Sequence, residues 1–159
     1  VKNTATLVDT GFLVALFNDG DLHHANARAM LASLAGAHLY TVWEALTEAG
    51  HLLDDTGKLN LLRWAAAGRL SVLHSDAAQL AAMADFSERY ADGGADLADV
   101  ALVFAADRIS CWNILTIDRR DFDRYRTPQG RKFRRLWIKD RSENTYPPTL
   151  AAHPPSVEF

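Results

Sequence analysis

Apolar residues recur along the chain in two alternating rhythms, one short and continuous, the other spaced as on a helix face. Residues 4–8 (TATLV) are β-branched and apolar and stop at Asp9-Thr10-Gly11, the pattern of a strand running into a turn. Residues 12–17 predict a short helix closed by Asn18-Asp19-Gly20. Asp21 is placed to cap a second helix to about residue 35, with Gly36 as its stop signal. Residues 38–41 predict the next strand. Thr41 is then expected to cap a helix to about residue 53, ended by Asp54-Asp55-Thr56-Gly57. A helix over 58–67, a strand at 70–74 and a helix from Ser75-Asp76 to about residue 90 follow. After Gly93-Gly94, Asp96 opens a long helix to about residue 109, and residues 113–117, 119–125 and 132–138 read as strand, short helix and strand. This alternation predicts an α/β fold, a mostly parallel central sheet flanked by helices. In such sheets, sites gather at the carboxyl ends of the strands. Four of the five prolines are Pro147, Pro148, Pro154 and Pro155. Residues 1–142 are therefore expected to form one domain and 143–159 an extended tail.

The composition fits that picture. A chain of 159 residues with 48% hydrophobic and 23% charged residues has the make-up of a globular domain, which excludes disordered, collagen-like and coiled-coil chains. No run approaches the roughly 20 apolar residues of a membrane span, and no basic-then-apolar export signal is read. With Cys111 as the single cysteine, the expected setting is a reducing cytoplasm. The net charge of −3 hides an asymmetry: residues 1–118 balance at −8 and residues 119–141 at +7. Ten of the 17 basic residues lie in that second segment, from Arg119 and Arg120 to Lys139 and Arg141. Such a segment suits a polyanion, because neutralising phosphates is the main sequence-independent source of nucleic-acid affinity. The plainer reading is a solvated helix face and a charged edge strand.

The informative residues are carboxylates set where a core belongs. Asp9 ends the first strand between Leu7-Val8 and Phe12-Leu13, and Glu48 lies on an otherwise apolar helix face. Asp96 and Asp99, three apart, point to one side of the helix they begin. Asp118 follows the apolar strand Ile114-Leu115-Thr116-Ile117, and Asp121 comes three residues later. Each has an ordinary explanation, Asp96 and Asp118 as helix caps and Asp121 as a partner of Arg124. Buried among Val, Leu and Ala, Asp9 and Asp99 fit such explanations least. Converging carboxylates repel unless a divalent cation neutralises them, and oxygen-only ligands favour Mg²⁺ or Mn²⁺ over zinc. A metal so held suits phosphodiester hydrolysis.

Four blocks carry a family likeness: Leu7-Val8-Asp9-Thr10-Gly11, Leu46-Thr47-Glu48-Ala49, the run from Asp96-Leu97-Ala98-Asp99 to Val103, and Leu115-Thr116-Ile117-Asp118-Arg119-Arg120-Asp121-Phe122. In this order and spacing the sequence resembles PIN-domain ribonucleases, in particular the VapC-like toxins of prokaryotic toxin–antitoxin pairs, over about residues 4–138. The resemblance implies a PIN-like α/β/α sandwich and a metal-dependent endoribonuclease that leaves a 5′-phosphate and a 3′-hydroxyl. It implies Asp9 and Asp99 as principal Mg²⁺ ligands, Glu48 as the residue orienting the attacking water, Asp118 as a fourth acidic wall, and Asp96 at a second metal or bridging water. Thr10 and Thr116 match hydroxyl positions that touch the pocket. Glu44 stands as an alternative to Glu48 at a neighbouring spacing, and Leu-Thr-Glu-Ala is the better match. The implied partners are RNA, a second copy of the chain in a homodimer, and a cognate antitoxin that fills the acidic groove with a basic side chain. The competing reading is a catalytically inactive PIN-fold module that binds RNA or a partner; the complete acidic set argues against it, since phosphates gain nothing from bare carboxylates.

Lesser signals divide between structure and surface. His23-His24 mimic a zinc pair but diverge as neighbours on a helix, Trp137 in the basic strand is a candidate for stacking on a base, and Cys111 reads as a small core residue. The apolar face from Leu59 to Trp64 suits a dimer or an antitoxin helix.

Overall fold

A computed structural model describes residues 4–137; the expected tail at 143–159 lies outside the described residues. The strands are β1 (Ala5–Val8), β2 (His38–Val42), β3 (Ser71–Leu73), β4 (Asn113–Leu115) and β5 (Arg134–Arg135). They form one sheet in the order β3-β2-β1-β4-β5, with every pairing parallel. Seven helices connect them: α1 (Thr10–Phe17), α2 (His24–Ser33), α3 (Trp43–Leu52), α4 (Asp55–Ala66), α5 (Ala77–Arg89), α6 (Leu97–Arg108) and α7 (Arg119–Arg124). Strand order departs from chain order where β4 returns to the other side of β1. The crevice at that reversal lies outside the carboxyl ends of β1 and β4, the usual place for a site in an open parallel sheet.

Alternation along the central strands divides the core. Leu7 and Ile114 face one layer with Met83, Phe86, Val100 and Val103, while Val8, Leu39 and Leu115 face a second with Phe12, Leu13, Leu46 and Leu61. Helices therefore cover both faces, as the strand period requires. Helix α6 is buried almost all round: Ala98 to Val103, Ala105 and Ala106 are inside. Small and aliphatic side chains let it lie close against the sheet while it carries Asp99 inward.

Several caps differ from the expectation. Asp21 caps no helix: its Oδ1 accepts from the His23 N–H at 2.8 Å, and α2 starts three residues later with His23 at its N-cap. Nor does Thr41 cap α3. Its hydroxyl donates to the Val8 carbonyl at 2.8 Å inside the sheet, and Val42 precedes the helix. Asp54-Asp55-Thr56-Gly57, read as a stop, opens α4 instead. Asp54 Oδ1 accepts from the Gly57 N–H at 2.7 Å, and a Cβ on Gly57 would meet the Phe17 carbonyl oxygen at 2.6 Å, so α1 and α4 meet there through a residue without a side chain. Asp76 and Gln79 form a reciprocal capping box on α5. Trp137 is fully buried with its edge to Phe12 and its indole N–H donating to Asn26 Oδ1, so it is a core residue and not a stacking platform. Cys111 is buried. His24 bonds the Ala15 carbonyl and His23 lies against Trp137, both structural contacts.

Candidate active site

The acids meet where β1 and β4 end. Asp9 leaves β1 in extended conformation and becomes the N-cap of α1, its Oδ1 accepting from the Thr10 N–H at 2.7 Å. Its own N–H donates to the Leu115 carbonyl at 3.0 Å, which ties the end of β1 to the end of β4. Thr116, fully buried, then bridges two acids: its hydroxyl donates to Asp9 Oδ2 at 2.7 Å and accepts from the Asp118 N–H at 3.0 Å. Asp118 caps α7 through the Asp121 N–H at 2.9 Å, and Asp96 caps α6 through the Asp99 N–H at 2.8 Å. Three acids thus start three helices, each engaging one oxygen with a helix N–H.

Asp99 lies in the first turn of α6, buried, with its Oδ2 accepting from the Tyr125 hydroxyl at 3.1 Å. Carboxylate oxygens of Asp99, Asp118 and Asp121 come within 4.8 Å of one another. Asp9 and Asp96 stand outside that trio, yet their charges both act on Asp99, and those of Asp96 and Glu48 act on Asp9. Glu48, on the second turn of α3, is held by the Thr10 hydroxyl, which donates to its Oε2 at 2.8 Å. Glu44, one turn earlier, has its Oε2 buried with no hydrogen-bond partner among the described residues. Of the two neighbouring glutamates, Glu48 is thus tied to Thr10 and acts on Asp9.

Burial and neighbouring carboxylates dominate the electrostatics of Asp9 and Asp99, while Arg124 and Arg120 act against them at Asp121. Burial, reinforced by the Asp96 and Glu48 charges, pushes Asp9 up to about 6 against the pull of its bonds from Thr116 and Thr10. Burial and then the charges of Asp9 and Asp96 push Asp99 up to about 8. Asp121 is raised by burial and by Asp118, and the Tyr125 phenol is raised by burial and by Asp99, so it stays a hydrogen-bond donor. The largest charge effects on Asp9 and Asp99 come from other carboxylates. All donors are oxygens, set close together and repelling, a set that fits a hard divalent cation.

Asp121 and Tyr125 are the members that sequence reasoning did not place in the site. Asp121 stands among the acids of the sequence with pairing to Arg124 as its ordinary explanation, a contact that is long at 3.9 Å. The i, i+3 spacing from Asp118 was its signal. Nothing in the sequence marks Tyr125 apart from its position at the end of α7.

The basic segment divides. Arg119, Arg120 and Arg124 line a cavity of about 930 Å³ with Asp118, Asp121 and the half-exposed Ile117. Arg131, whose guanidinium lies 4.4 Å from the centre of the Trp112 ring, and Arg134, paired with Asn113 at the start of β4, lie at the opposite end of the sheet. Arg126 is occupied by the carbonyls of Asp123, Arg124 and Tyr125, and Arg135 by the Asp123 carboxylate at 2.7 Å.

No protein-family model matches the chain. The fold is similar to the crystal structure of VapC20 of Mycobacterium tuberculosis, described as a sarcin-ricin loop cleaving toxin, with a TM-score of 0.62 and 23% identity over 71% of this chain and 89% of that one. In sequence, the chain is 31% identical over 130 residues to the ribonuclease VapC26 of Mycobacterium tuberculosis, covering 80% of this chain and 96% of that protein. A match of that identity and coverage places the chain in the VapC ribonuclease family.

Proposed function

We propose that this protein is a divalent-cation-dependent endoribonuclease and the toxin of a toxin–antitoxin pair. The observation that carries the reading is that Asp9 and Asp118, joined through Thr116 at the ends of β1 and β4, meet Asp99 of α6, with Asp96 acting on Asp9 and Asp99 and Glu48 on Asp9. Asp9 and Asp99 would hold the cation, Mg²⁺ or Mn²⁺ by its oxygen donors, with Asp118, Asp96 and Asp121 around it. When bound, such an ion supplies an acidified water and offsets charge at the phosphoryl oxygens. Glu48, fixed by Thr10, orients the attacking water and takes its proton. Water oxygen bonds to phosphorus, the P–O3′ bond breaks, and the departing 3′-oxygen takes a proton from solvent, leaving a 5′-phosphate and a 3′-hydroxyl. Arg119, Arg120 and Arg124, which border the acids, hold the flanking phosphates.

The partners that follow are an RNA substrate, an antitoxin that offers a cation to the acidic hollow, and a second copy of the chain. Leu59 and Leu62 on α4 are about half-exposed and suit one of the two protein partners. No described helix is long and apolar enough to cross a membrane, in keeping with a cytoplasmic toxin.

Purified protein incubated with total RNA tests the reading. Cleavage is expected with Mg²⁺ and lost in EDTA, and Asp9→Asn should lower it at least 100-fold while the circular-dichroism spectrum is kept. Binding without cleavage under every metal condition would establish the inactive-module reading instead, and undiminished cleavage by Asp9→Asn would remove the ligand role of Asp9.

A further inference from the structure

Tyr125 is fully buried, and its ring is boxed by Phe122 and Tyr90, edge-on with centroids at 5.4 and 5.3 Å, and by Phe86 at 5.9 Å. A phenylalanine would fill the same box. What the packing does not explain is the hydroxyl, which donates to Asp99 Oδ2 at 3.1 Å. The neighbouring Tyr90 hydroxyl has an ordinary structural role, accepting from the Arg126 N–H at 3.2 Å. Tyr125 is also the C-cap of α7, the helix that Asp118 caps and whose first turn holds Asp121.

We propose that Tyr125 is a positioning residue for Asp99: its hydroxyl engages Oδ2, fixes the rotation of the carboxylate and leaves Oδ1 for the cation. The same bond ties Asp99 on α6 to the helix that supplies Asp118 and Asp121, and so keeps the three carboxylates in register. This inference rests on the metal-dependent reading above. Partners of this kind, which orient a ligand without touching the metal, carry a large share of metal affinity.

The test compares Tyr125→Phe with Tyr90→Phe, measuring Mn²⁺ affinity by calorimetry and cleavage across a Mn²⁺ titration. Tyr125→Phe is expected to weaken Mn²⁺ binding about 10-fold, with cleavage largely restored at saturating Mn²⁺. Tyr90→Phe is expected to leave Mn²⁺ affinity within about twofold although it too loses a hydrogen-bonded aromatic hydroxyl. Unchanged affinity in Tyr125→Phe, or an equal loss in both variants, would overturn this inference alone. A wild-type protein that binds no Mn²⁺ would overturn the nuclease reading and this inference with it. Should Tyr125→Phe fail to fold, ¹³C-tyrosine NMR of the wild type decides. The Tyr125 resonance, assigned by elimination with Tyr40→Phe, Tyr90→Phe and Tyr146→Phe, should move with Mg²⁺ occupancy. A resonance that stays still while Mg²⁺ binds would overturn the proposal.

Discussion

At the scale of single residues, the site depends on hydroxyls as much as on acids. Thr116 has no contact with solvent, and its one oxygen serves both Asp9 Oδ2 and the Asp118 N–H. Thr116→Val keeps the shape and removes both bonds, leaving a buried carboxylate oxygen and a partly buried N–H short of a partner. The expected cost is about 1–3 kcal/mol of stability and a 10- to 100-fold loss of cleavage, measured by urea unfolding and RNA assay; Thr116→Ser should recover most of both. A Val variant with wild-type stability and activity would show that the bridge is incidental. The acids were legible because a carboxylate inside an apolar run has few bland explanations, which is why Asp9 and Asp99 stood out. The residues that orient them were less so. Thr10 and Thr116 came only through family likeness, and Tyr125 did not come at all, because a tyrosine beside other aromatics reads as core until its hydroxyl is seen to face a carboxylate.

At the scale of elements, one residue can end a strand, start a helix and serve a site, and α7 makes the two roles of Asp118 separable. As N-cap its oxygen accepts from the Asp121 N–H, a function asparagine also performs. As part of the acidic wall its charge is needed, which asparagine lacks. Asp118→Asn should therefore keep the melting temperature close to that of the wild type while cleavage falls about 10-fold or more. Asp118→Ala should lose cleavage and about 1 kcal/mol of stability besides. Equal activity in Asp118→Asn and wild type would reduce Asp118 to a cap. The same economy explains which boundaries the sequence misplaced. Asp54, Asp76, Asp96 and Asp118 all cap, as short polar residues before apolar helices should. Thr41 has the same local signal, but tertiary structure claims its hydroxyl for the Val8 carbonyl. The Asp54–Gly57 run was ambiguous for another reason: with two helices joined directly, a stop signal and a start signal share the same residues.

At the scale of the whole molecule, the parallel sheet was readable from the strand–helix alternation, whereas the strand order that sets β1 beside β4 depends on long-range pairing that no local pattern encodes. That order brings like charges together, and its consequence is a stability that falls with pH. Burial raises Asp9 to about 6 and Asp99 to about 8 from an unfolded value of 3.8. Between about pH 4 and 8 the metal-free folded protein therefore holds protons that the unfolded chain has released. Because the native state binds more protons, unfolding free energy decreases as pH rises through this window and levels off above it. A divalent cation reverses the balance, since it binds the deprotonated carboxylates and competes with those protons. Melting temperatures in EDTA should decline from pH 5 to pH 8, and the gain on adding Mg²⁺ should grow over the same range. Asp99→Asn separates this effect from every other titrating group: its EDTA series should be flatter than the wild-type series, higher at pH 8, and nearly indifferent to Mg²⁺. A wild-type series in EDTA that is level or rises with pH would mean that the carboxylates at the ends of β1 and β4 already have their charge compensated within the protein, and the physical case for a cation between them would fall.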